Sequence, residues 1–184
     1  KAIEGIEKQV KKMLGNLSMQ NAEFKIDLNK SDELCLSGLD LVKFKFSANK
    51  GVALNELHKV ASGGELSRLM LTLKALLATK KKLPTIVFDE IDTGVSGDVA
   101  DKIGNILKDI GKSMQVVAIT HLPQMASKGN HHLFVYKKDQ EDKTVSHIKE
   151  LRGEERINEI AKMLSTGKPT NSALVNAKEL LNLN

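Results

Sequence analysis

The sequence predicts an α/β fold built around a parallel βαβ unit. Two short, mainly apolar runs, Thr85–Phe88 and Gln115–Ile119, are separated by a segment of helical length, Gly97–Ile110. Strands buried on both faces read as continuous apolar runs, and an intervening helix provides the right-handed crossover between parallel neighbours. The chain is also large enough for a real core: 184 residues, 41% hydrophobic and 28% charged.

The remaining elements follow in order. Ile3, Ile6, Val10, Met13 and Leu17 alternate at spacings of three and four, an a/d seam with Lys and Glu between. With only about two heptads present, an ordinary amphipathic helix fits equally well, and Gly15-Asn16 supplies a stop signal. Glu23–Leu28 and Leu41–Ala48 alternate like strands, with Val42, Phe44 and Phe46 on one face and Asn49-Lys50-Gly51 as turn chemistry. From Glu65 to about Thr79, Leu66, Leu69, Met70, Leu73, Leu76 and Leu77 share a helical face. Beyond Ile119 come a short helix near Gln124, strands around Leu133–Lys137 and Thr144–Lys149, and two terminal helices. The first of those carries Ile157, Ile160, Ala161 and Leu164 on one face, and the second runs from about Ser172 to Leu183.

Composition narrows the function. No apolar run approaches the roughly 20 residues of a membrane span, and no signal-peptide pattern opens the chain. The single Cys35 forbids an internal disulfide and a thiolate zinc cage, which points to a soluble, reducing, intracellular setting. The chain does not open with Met, so part of a longer protein is expected. Its net charge of +5 is thinly spread: residues 1–60 carry 10 Lys against 8 acids, and residues 61–184 carry 18 basic residues against 15 acids. Lys80-Lys81-Lys82 is the one tight basic run and suits a solvated helix end. Aromatic residues make up 3%, too few for a base-stacking platform. His131, His132 and His147 show no metal-ligand spacing, and Met70, Met125 and Met163 fit helical core positions.

Chemistry gathers at the carboxyl ends of the two central strands, where parallel sheets bind ligands. The first runs into Asp89-Glu90 and the second into Thr120-His121. An Asp there can hold Mg²⁺ through its water shell, and a Glu one residue on can take a proton from water. The same pair also reads as polar residues leaving a strand, with Asp92 capping a turn. Ser62-Gly63-Gly64-Glu65 opens the long helix. Ser62 and Glu65 fit a capping box, while two consecutive glycines expose backbone N–H groups at the helix's positive end, as a phosphate site requires.

Together these segments resemble the ATPase domains of the ABC type. Ser62-Gly63-Gly64-Glu65 resembles the signature motif, Thr85 to Glu90 the Walker B strand with its catalytic Glu, Asp92 to Gly97 the D-loop, and His121 the switch histidine. The longer strings VASGGELSR (60–68), FDEIDTGVSG (88–97) and ITHLPQMA (119–126) resemble the RecN family of SMC-like bacterial repair ATPases. The likeness runs from about Glu23 to the end, through Glu155-Arg156 to Met163 and Ala177–Leu181.

The resemblance implies the C-terminal lobe of an ABC/SMC-type P-loop ATPase head, a mostly parallel sheet flanked by helices. Residues 1–20 would end a coiled-coil arm, and residues 21–184 would form the lobe. It implies ATP and Mg²⁺ as cofactors, with Asp89 orienting the metal through water, Glu90 as general base and His121 at the γ-phosphate. Ser62, Gly63, Gly64 and Glu65 would meet nucleotide on a second head, and Asp92 would link the two sites. The expected partners are an N-terminal Walker A lobe of the same protein, a second head in a homodimer, and DNA, with no membrane. The expected setting is the bacterial cytoplasm, at the nucleoid. No G-x-x-x-x-G-K-[ST] loop occurs, and Gly111-Lys112-Ser113 lacks its upstream Gly, so this lobe alone is expected to be inactive. Another SMC-like or ABC-type head, or an interaction module with an apolar face, are the competing readings.

Overall fold

The computed structural model describes residues 2–36, 38–59, 63–81, 83–89, 91–141 and 143–183. They fall into two compact units, 1–95 with 113–118 and 96–112 with 119–184.

The first unit opens with α1 (Ala2–Asn16), whose Val10 and Leu14 are fully buried. It ends at Asn16, within the expected Gly15-Asn16 stop. Ser18 adopts φ +62°, Met19 N–H donates to Leu14 O at 3.0 Å and Ser18 N–H to Gly15 O at 3.2 Å. This is a Schellman cap with serine at the position glycine usually fills, and Leu14 and Met19 supply its apolar contact within one core.

Strands β1 (Glu23–Cys35) and β2 (Gly38–Ser47) form an antiparallel hairpin, and β3 (Asn55–Glu56) adds to β2 before a 3-10 turn at Leu57–Lys59. Phe24 and Phe46 are cross-strand partners buried against Val10, Leu14, Met19, Ala22 and Leu69. The same face emerges from the core toward the hairpin tip, so Phe44, stacked on Phe24 at 5.9 Å, is exposed together with Val42 and Leu28.

Helix α2 (Gly63–Lys81) buries more than the expected leucine stripe. Leu69, Leu71, Thr72, Ala75 and Ala78 are buried, while Met70 and Leu77 are exposed. Small residues and a Thr72 hydroxyl that donates to Arg68 O at 2.9 Å let neighbours pack on a second side that hydrophobic periodicity does not reveal.

β4 (Thr85–Phe88) and β5 (Gln115–Ala118) pair in parallel, Thr85 opposite Gln115 and Phe88 opposite Ala118. α3 (Gly97–Ile110) lies between them in sequence. The expectation of a mostly parallel sheet is therefore corrected: β4–β5 is the one parallel pair among the described residues, and the other strands pair antiparallel. Parallel neighbours need a long crossover, which only this pair has, whereas short connections close the others into hairpins.

The second unit holds α3, α4 (Pro123–Ala126), β6 (His132–Gln140), β7 (Lys143–Leu151), α5 (Gly153–Met163) and α6 (Asn171–Leu180). The β6–β7 ladder keeps one register from His132 opposite Leu151 to Gln140 opposite Lys143. Phe134, Tyr136 and His147 stack on one face, at 5.8 and 5.4 Å, while Leu133, Val135 and Ile148 stand exposed on the other. Ile157, Ile160 and Ala161 of α5 pack on Ala173 and Ala177 of α6, whose N-cap Thr170 accepts from Ala173 N–H. No helix among the described residues is long and apolar enough to cross a membrane.

Candidate functional site

Ser62 and Glu90, two of the residues expected to act on nucleotide, lie outside the described residues. The others are placed. Gly63 and Gly64 form the first turn of α2, and Glu65 follows them, its carboxylate accepting from Asn49 Nδ2 at 3.2 Å. That bond ties the start of the helix to the turn after β2.

The segment after β4 returns to the same helix end. Ile91, Asp92 and Val95 are buried, and Val95 N–H donates to Asp92 O at 3.1 Å, closing a tight turn. The turn carries Gly94 at φ +68°, directly against Gly64: a Cβ on Gly64 would stand 3.1 Å from Gly94 O. The signature-like turn and the D-loop-like turn thus touch backbone to backbone in the first unit. Sequence reading named both segments but not this joint, because two glycines in contact leave no side-chain pattern.

Asp89 is exposed immediately beyond the buried Phe88. Mg²⁺ commonly takes one or two carboxylates and completes its shell with water and phosphate oxygens. An exposed carboxylate at a strand's carboxyl end fits as one such ligand. Among the described residues no group of three or more His, Cys, Asp or Glu side chains could by itself hold a metal.

His121 belongs to the second unit and is exposed in the turn before α4. There Leu122 N–H donates to Thr120 Oγ1 at 3.0 Å, and the Thr120 hydroxyl reaches Met125 Sδ at 3.8 Å. Gly111 closes α3, its N–H donating to Leu107 O at 2.9 Å, so Gly111-Lys112-Ser113 is a helix end rather than a phosphate loop. A polar cleft of about 340 Å³ between Lys11, Asn21 and Gly51 includes none of the motif residues.

No family model matches the chain. The DNA repair protein RecN of Vibrio cholerae is 42% identical to it over 177 residues, 96% of this chain and 32% of that protein. RecN of Rickettsia conorii is 44% identical over 97% of this chain and 32% of its own length, and RecN of Bacillus subtilis 37% identical over 98% and 33%. The chain therefore spans about a third of the length of these curated relatives.

Among solved structures, the Smc head domain with a coiled coil and joint from Pyrococcus yayanosii matches with a TM-score of 0.69 at 20% identity, over 88% of this chain and 29% of that one. A structure from work on ATP-driven dimerization and DNA-stimulated activation of SMC ATPases matches with a TM-score of 0.61 at 17% identity, over 90% and 95%. At such identities the likeness speaks for the fold, which is that of SMC head domains. With 42% identity to a RecN protein across nearly its whole length, the chain belongs to the RecN family.

Proposed function

We propose that this chain is the C-terminal lobe of an SMC-type ATPase head in a RecN-like protein that acts in recombinational repair of DNA double-strand breaks. In this reading residues 21–184 form the lobe and residues 1–20 end a coiled-coil arm. The Walker A loop comes from an N-terminal lobe of the same protein, since no such loop occurs in this sequence. ATP-dependent pairing of two heads holds DNA, in the bacterial cytoplasm at the nucleoid. The contact of Gly64 with Gly94 carries the proposal: it supports a single rigid surface made of the signature-like and D-loop-like turns.

Each residue then has a role. Ser62, Gly63 and Gly64 present N–H and hydroxyl donors at the positive end of α2 to the γ-phosphate of nucleotide bound on the second head. Glu65 braces that turn through Asn49, and Asp92 holds the neighbouring loop. Asp89 would hold Mg²⁺ through water. Bound Mg²⁺ neutralises charge on the phosphate oxygens. Glu90 takes the proton from the attacking water, and His121 donates a hydrogen bond to a γ-phosphate oxygen. Phosphoryl transfer rests on positioning and electrostatics, so this lobe without the phosphate-cradling loop is nearly inert.

The test uses the complete protein. Glu90→Gln keeps the shape and loses the proton acceptor, so ATP binding persists while hydrolysis slows by about 10²–10⁴-fold. ATP-dependent head dimers then accumulate, as light scattering reports. Normal hydrolysis by Glu90→Gln would remove Glu90 as the base.

A further inference from the structure

The turn that carries His121 is held from two sides within the second unit. α4 is one turn long, so its last carbonyls have no partners inside the helix. Arg156, on α5, sends a single nitrogen to the carbonyls at and just beyond that end: Nη2 lies 3.5 Å from Ala126 O, 3.1 Å from Ser127 O and 2.6 Å from Gly129 O. The next residue, Ile157, and then Ile160 and Ala161 anchor α5 in the core of the unit, so the guanidinium is mounted on a fixed element.

From the other side, Gly104 of α3 brings backbone against backbone. A Cβ there would be 3.3 Å from Gln124 O and 3.4 Å from Met125 Cα, and Lys128 pairs with Asp101 at 2.8 Å. Between these braces, Leu122 N–H on Thr120 Oγ1 closes the turn over His121.

Arg156 is placed at a cost. Its Nε is buried without a partner, and among the described residues no carboxylate pairs with it. Burial pushes its pKa below the ordinary arginine value, and its charge helps to hold the neighbouring His132 below the usual histidine range. A half-buried cation bonded to several carbonyl oxygens is well suited to fixing a chain segment, because a hydrogen bond from a charged donor is stronger than a neutral one.

We infer that Arg156 is a positioning residue for the ATPase site: it fastens the carboxyl end of α4 to α5 and so fixes the turn from which His121 reaches the nucleotide. This rests on the proposed role of His121. Arg156 touches no substrate itself.

The experiment compares Arg156→Ala, Arg156→Lys and His121→Ala in the complete protein. It reads kcat and KM for ATP, thermal melting, and amide hydrogen exchange across residues 120–130. Misplacing a reacting group by an ångström can lower a rate by about 10²-fold, so Arg156→Ala is expected to lose at least about tenfold in kcat while KM stays within about twofold. Exchange across 120–130 accelerates, and Arg156→Lys, which keeps the charge, recovers most of the rate. If Arg156→Ala does not fold, Arg156→Gln replaces it and is held to the same outcomes. A folded variant with wild-type kcat and exchange overturns the inference. So does a loss of rate that merely follows the folded fraction and is not rescued by lysine. Slow His121→Ala with normal Arg156→Ala defeats the inference alone. Wild-type turnover by His121→Ala defeats the reading of His121, and the positioning role falls with it.

Discussion

Gly64 and Gly94 meet with no side chain between them, a methyl on the first standing 3.1 Å from the carbonyl oxygen of the second. The two glycines serve different needs. Gly64 lies in ordinary helical backbone and is small because a neighbour is close. Gly94 has φ +68°, where a side chain is strained whatever the space around it.

These needs predict different mutants. Gly94→Ala should destabilise the chain by about 1–2 kcal/mol, the cost of a Cβ in left-handed backbone. Gly64→Ala gains about 1 kcal/mol of helix propensity and sets it against a tight backbone contact, so its melting temperature should change little. In the complete protein Gly64→Ala should nevertheless weaken ATP-dependent head pairing, because the loop at Gly94 must move. Thermal melting and sedimentation with and without ATP separate the two effects.

The turn before Gly64 separates a phosphate site from a helix cap. If Ser62 caps α2 as the sequence predicts, Ser62→Ala costs about 0.5–2 kcal/mol, and Ser62→Arg costs the same and adds bulk. A signature motif predicts that only Ser62→Arg abolishes head pairing and hydrolysis while ATP binding persists. Equal loss of stability with normal pairing in both would leave only the cap.

Ser18 offers a stabilising change. It holds φ +62° at the position of the α1 cap that favours glycine. Ser18→Gly should raise stability by about 0.5–1 kcal/mol, seen as a higher denaturation midpoint with an unchanged slope. A fall in stability would mean that the serine side chain outweighs the backbone strain.

His132 gives a pH signature. Burial first, then the charge of Arg156, holds its pKa below 6.5, with Glu159 opposing. The unfolded chain takes up the proton near 6.5 and the folded chain only at lower pH, so the unfolded state binds more protons in between. Stability is therefore complete above about 6.5 and falls as the pH drops through the folded value. Glu7, held low by Ile26 N–H and Lys25, and Glu150, held low by Arg152 and His131, add their losses only below their ordinary value of 4.5. His132→Gln should flatten the stability profile between pH 6.5 and 4.5 and leave the more acidic part unchanged. An unaltered profile would show that His132 titrates normally.

Much of the fold was legible. The short, mainly apolar runs gave β4 and β5, although of their eight residues only Phe88 is buried and Val87 and Val117 are exposed, so the expected burial on both faces is corrected. The 3.6-residue period gave α5, because burial on one stripe writes itself into residue order. The polar run Lys30-Ser31-Asp32-Glu33 hid the far end of β1, where the regular pairing with β2 stops at Lys30 opposite Asp40 and resumes at Cys35 opposite Gly38. The mostly parallel sheet was an over-extension of one βαβ unit to neighbours that are hairpins. At the site, carboxylates and histidine after the two parallel strands were visible as chemistry. The Gly64–Gly94 joint and the Arg156 fastening were not, since backbone carbonyls as partners carry no sequence signal.

The unbroken β6–β7 ladder constrains how this region can change. Adding one residue inside β6 would reverse the faces of the residues beyond the insertion, exchanging the places of Phe134 and Tyr136 with those of Leu133 and Val135, because side chains alternate with a period of two. Length can therefore vary at residues 141–142, between the paired Gln140 and Lys143, or in steps of two within a strand. Across relatives, this hairpin should change length at its tip and exchange side chains along its strands, with no single-residue insertion inside either one.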